Sequence, residues 1–103
     1  MIDCYDRQGN PISMEEWVEK LNDRTCQRVA KTTLSDGKSV STVWLGVNHN
    51  HGDGPPLIFE TMVFPSEENL RDLDCERYST EGEALVGHQA MVEKWMRLSI
   101  LPR

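Results

Sequence analysis

The feature that most constrains this chain is an Asp36-Gly37 pair set between two runs rich in β-branched residues, QRVAKTTL at 27–34 and SVSTVWLGV at 39–47. Branching at Cβ favours extended backbone, and glycine accepts the positive φ that a tight reversal demands, so the two runs are expected to form an antiparallel hairpin. A third run, LIFETMVF at 57–64, ends at Pro65-Ser66, where proline cannot extend a central ladder. CERYS at 75–79 reads as a short edge strand, and residues 66–73 read as a helical turn.

Two helices bracket these strands. Ser13-Met14-Glu15-Glu16 and Thr80-Glu81-Gly82-Glu83 both have the form in which a hydroxyl and a carboxylate satisfy free N–H groups at a helix start. After the first, Met14, Trp17, Val18 and Leu21 follow at helical spacing. After the second, Ala84, His88, Met91, Trp95 and Leu98 make a wide apolar stripe flanked by Leu85 and Val92. The expected fold class is α+β: a mainly antiparallel sheet of three to four strands with two helices packed on one face, in a single domain over residues 1–103. Trp17 and Trp95 are expected in the core, with His88 against them and hydrogen-bonded rather than liganding.

Composition narrows the function classes. Seventeen acids against eleven bases give a net charge of −6, which repels phosphates and argues against a non-specific nucleic-acid binder. Acidity mildly favours a basic partner surface, although ordinary solubility charge is the better explanation. No long apolar run suggests a membrane span, and MIDCYDRQ has acids where an export signal needs a basic and then an apolar segment; the expectation is a cytoplasmic protein. Cys4, Cys26 and Cys75 are odd in number and widely spaced, which fits reduced thiols and neither a disulfide framework nor a zinc ribbon. Cys26 and Cys75 can approach one another in such a fold, but nothing places a base beside either.

The loop VNHNHGDGPP at 47–56 holds the one concentration of metal-ligand types, His49, His51 and Asp53. Two imidazoles at i and i+2 with a carboxylate can converge on a cation, although no fourth ligand is evident. The literal His-Asn-His triplet is not the HNH nuclease arrangement, whose ligands are spread over a ββα unit. The plainer reading is a solvated loop in which Asn, Gly and Asp accept turn dihedrals and Pro55-Pro56 stiffens the entry to the next strand. No cofactor is expected.

Hairpin registers centred on Asp36-Gly37 and on the 48–56 loop place Ala30, Leu34, Val43, Leu45, Leu57, Phe59 and Val63 toward the helices. They leave Lys31, Thr33, Thr42, Trp44, Ile58, Glu60, Met62 and Phe64 on the other side. Lys31, Trp44, Ile58, Glu60, Met62 and Phe64 are therefore the candidate interaction surface, open or covered by another chain, a second copy included.

The segments YDRQGNPIS, VSTVWLGVNH, GPPLIFETMVF and RYSTEGEALVGHQAMVE resemble a family of short uncharacterised proteins encoded by tailed bacteriophages and prophages, over roughly residues 5 to 97. The resemblance carries no activity and no catalytic residue; it implies an accessory role directed at the bacterial host. The leading expectation is a non-enzymatic protein that binds a host protein, inhibition of that protein included. The alternatives are a nucleotide-like ligand binder using Trp44 and the His-rich loop, and a metal-dependent hydrolase at His49, His51 and Asp53.

Overall fold

The computed structural model describes residues 3–50 and 52–100. Strands β1 (Arg28–Thr33), β2 (Ser39–Trp44), β3 (Phe59–Phe64) and β4 (Asp74–Tyr78) pair antiparallel in the order β1-β2-β3-β4. Two short helices precede them, α1 (Met14–Leu21) and α2 (Arg24–Gln27), and the long α3 (Glu81–Ile100) follows and crosses all four strands. The fold is α+β, an antiparallel sheet with helices packed on it. Both foreseen caps are present: the Glu16 N–H donates to Ser13 Oγ at 3.2 Å, and the Thr80 N–H and Glu83 N–H exchange bonds with each other's side chains at 3.1 Å. The short α2 was not expected, and residues 66–73 form bends rather than a helical turn.

The β1–β2 turn forms at the expected place but is one residue longer than a two-residue reversal. The Leu34 N–H donates to the Lys38 carbonyl at 2.8 Å and the Gly37 N–H to the Leu34 carbonyl at 2.9 Å, so residues 35–37 make the loop, with Gly37 at φ +94°. A left-handed glycine closing a three-residue loop slips the pairing by one. Ala30 therefore opposes Thr42, and Thr32 opposes Val40. At the far end of β2 the N–H groups of Leu45 and Gly46 both donate to the Ile58 carbonyl, at 2.7 and 3.4 Å, a bulge that sets Trp44 opposite Phe59 instead of Glu60.

These two irregularities turn β2 over relative to its neighbours. Val40, Thr42 and Trp44 face α3, and Ser41 and Val43 face away, which reverses the expected sides of Val43, Thr42 and Trp44. Trp44 is 1% exposed and packs with Ile58, Phe59 and Ala84, while Tyr5, Ile12, Trp17, Leu21, Val29 and Tyr78 flank this cluster. Gly46, at φ +79°, passes so close that a Cβ there would lie 2.5 Å from the Trp17 ring and 2.7 Å from that of Trp44. A second cluster holds Leu34, Val40, Val63, Met91 and Val92, with Leu73 and Trp95 packed against it. Trp17 and Trp95 are thus half-buried flanks of two clusters, and neither is at the centre of the core.

A polar layer separates the clusters. His88, 6% exposed on α3, contacts Thr32 Oγ1 through Nε2 at 2.9 Å and Thr42 Oγ1 through Nδ1 at 2.7 Å, and Thr42 in turn pairs with Thr61 on β3. The partners of His88 are threonines of the sheet rather than the two tryptophans. Spacing along α3 produces this order: Ala84 lies over one cluster, His88 over the threonines, and Met91, Val92 and Trp95 over the other.

Candidate functional site

The corrected register defines the face turned away from α3. Across the strands run Thr33–Ser39–Phe64, then Lys31–Ser41–Met62–Cys75, then Val43–Glu60–Arg77. Of the six residues expected on this surface, Lys31, Glu60, Met62 and Phe64 occupy it. Trp44 and Ile58, each 1% exposed, belong to the core. Trp44 therefore offers no ring for stacking a nucleotide base, and its indole N–H already donates to the Tyr5 carbonyl at 3.1 Å.

The β3–β4 connection folds over one end of the face. From it the Glu67 carboxylate accepts from Lys31 Nζ at 2.7 Å and from Thr33 Oγ1 at 3.0 Å, bridging across β2 to β1. These two donors hold the Glu67 carboxyl below its ordinary pKa. Beside this bridge is a groove of about 160 Å³ lined by Arg28, Lys31, Ser39, Ser41, Phe64, Ser66, Glu67 and Leu70. Leu70 stands at its rim and is 75% exposed, the most exposed large apolar residue described.

At the opposite end Glu60, 7% exposed, accepts from Arg77 Nε at 2.9 Å, and the Cys75 thiol donates to the same carboxylate oxygen at 3.5 Å. Burial first, and the Glu60 charge second, push the Cys75 thiol up to about 11. Such a thiol stays protonated at neutral pH and is a poor nucleophile. Cys75 lies on β4, at the other edge of the sheet from β1, so it does not approach Cys26 on α2.

The His-rich loop is organised by its asparagines. Asn48 Oδ1 accepts from the N–H groups of Asn50 and Leu57, at 2.8 and 3.0 Å. Asn50 accepts from the Gly52 N–H at 2.9 Å and donates to the carbonyls of Asp53 and Pro55. These are side-chain turns that need no ligand. The His49 N–H donates to the Leu57 carbonyl at 3.0 Å, Asp53 is exposed, and His51 lies outside the described residues. Among the described residues no three His, Cys, Asp or Glu side chains are grouped to hold a metal.

Sequence reasoning missed Arg28, Ser39, Ser41, Val43, Glu67, Leu70 and Arg77 as parts of this face. Two signals were available: an Asp-Gly pair also fits a three-residue loop, and Leu70 is the lone apolar residue in the polar stretch SEENLRD. No protein-family model, no curated protein and no solved structure matches the chain. Among the described residues no helix is long and apolar enough to cross a membrane.

Proposed function

We propose that this chain is a non-enzymatic binding protein that engages another protein through the sheet face turned away from α3. The observation that carries the reading is Leu70, 75% exposed at the rim of a groove whose floor is Ser39, Ser41 and Phe64 and whose far wall is Arg28 and Lys31. An apolar side chain held beside charged and hydroxyl groups supplies both the area and the orientation that protein interfaces use. Two groups that could carry chemistry, Cys75 and His88, are held in unreactive forms. Cys75 is a high-pKa thiol, and both ring nitrogens of His88 are engaged in the core.

The resemblance to proteins of tailed bacteriophages and prophages supports a bacterial host protein as the partner and the host cytoplasm as the place of action. Paired capture from host lysate tests the reading, with the full chain and its Leu70→Glu variant as baits. Since Leu70 is exposed, the substitution should change stability by less than about 0.5 kcal/mol. The wild type is expected to retain one protein in stoichiometric amount, and the variant to lose it at an unchanged melting midpoint. Equal retention by both baits, or no stoichiometric protein on either, would refute the reading.

A further inference from the structure

We propose that Lys31 and Thr33, with Arg28 beside them, form a carboxylate-binding position that Glu67 fills as an internal ligand, and that an acidic side chain of the partner displaces it. This rests on the reading of the outer face as the binding face. The position is already shown to hold a carboxylate: Lys31 Nζ donates to Oε2 at 2.7 Å and Thr33 Oγ1 to Oε1 at 3.0 Å, one donor for each oxygen. That division matches a planar two-oxygen acid.

Three observations point to exchange rather than a permanent bridge. The Lys31 and Glu67 side chains are 34% and 44% exposed, so water and salt screen the pair and it is held weakly. Glu67 is carried by a connection without helix or strand, residues 65–73, so its release breaks no regular element. Among the described residues Arg28 forms no ion pair, although it lines the same groove. On a chain with six more acids than bases, this groove presents two cations to one acid. Glu67 hydrogen-bonds Lys31 and Thr33 and feels Arg28 only through its charge, so an incoming carboxylate can add a direct bond to Arg28 that Glu67 does not make. An apolar neighbour of that acid would rest on Leu70 and Phe64, so the partner segment is an acidic residue followed or preceded by an apolar one.

The test is an NMR titration of the full chain with a terminally blocked Glu-Leu-Glu-Leu peptide, beside a Gln-Leu-Gln-Leu control and inorganic phosphate. Wild type, Glu67→Gln, Lys31→Met and Arg28→Met are compared. The acidic peptide should shift the amides of residues 31, 33, 39 and 41 saturably. Removing the charge of the internal competitor in Glu67→Gln should tighten binding by about two- to sixfold, the occlusion that an exposed pair worth up to about 1 kcal/mol can impose. Lys31→Met should abolish the response and Arg28→Met weaken it. Equal shifts with the glutamine peptide, or no tightening in Glu67→Gln, would overturn the proposal; phosphate binding as tightly at the same amides would reassign the site to free phosphate and overturn it likewise. The titration needs no natural partner. A negative titration alongside a Leu70-dependent capture removes the carboxylate position alone, and a positive titration without capture removes the face reading alone.

Discussion

Trp44 packs with Ile58, Phe59 and Ala84 and donates its indole N–H to the Tyr5 carbonyl, so truncation removes buried area and a long-range hydrogen bond together. Trp44→Ala is expected to cost about 3–5 kcal/mol, read from denaturant midpoints. A loss below about 1 kcal/mol would return the ring to the surface. His88 makes a different kind of demand. Burial holds its imidazole below the ordinary 6.5, so the unfolded chain binds the proton more readily than the folded one. As pH falls through 6.5 the unfolded state is protonated first, and stability is lost from there down to the folded pKa; above 6.5 both states are neutral and the contribution is complete. The facing groups from β1, β2 and β3 are the uncharged Thr32, Thr42 and Thr61, and among the described residues no carboxylate hydrogen-bonds the ring to offset the loss. Stability measured from about pH 7 to pH 5 should fall more steeply in the wild type than in His88→Gln. Equal slopes would show that His88 does not titrate differently in the two states.

Among the elements, α3 depends most visibly on a local signal, the reciprocal bonds between Thr80 and Glu83 at its first turn. Thr80→Ala should cost about 1 kcal/mol, with Thr80→Ser recovering most of it; a neutral Thr80→Ala in thermal denaturation would mean that packing alone sets where α3 starts. Both caps, the two helices and the four strands were legible because each follows from spacing within a few residues, but the apolar stripes were only partly so: Met14 and Val18 on α1 and Leu85 and Leu98 on α3 are exposed. The orientation of β2 was not legible. It depends on whether the loop after Leu34 holds two residues or three and on a bulge at Leu45-Gly46, and one residue in either exchanges the faces of a strand. β1 and β3 kept their expected sides, which is why Lys31, Glu60, Met62 and Phe64 lie on the outer face as expected, whereas Trp44, expected there too, lies in the core. Helix α2 is four residues long, too short for periodicity, and its Asp23 cap, which accepts from the Thr25 N–H at 3.0 Å, was the one available sign.

For the molecule as a whole, the sheet is a partition. On one side α3 covers two apolar clusters and the His88 layer; over the other the 65–73 connection folds, tied down by Glu67. We propose the second side as the binding face, although α3 also carries exposed apolar groups, Val86 at 74%, Met96 at 54% and Leu85 at 48%, the first as open as Leu70. Hydroxyl-radical footprinting of the captured complex compares the two sides in one measurement, because Met, Phe and Leu side chains are oxidised where solvent reaches them. Partner binding is expected to protect Met62, Phe64 and Leu70 while Leu85 and Met96 stay as reactive as in the free protein. Protection of Leu85 and Met96 with Leu70 unchanged would place the interface on the outer side of α3 and not on the sheet face.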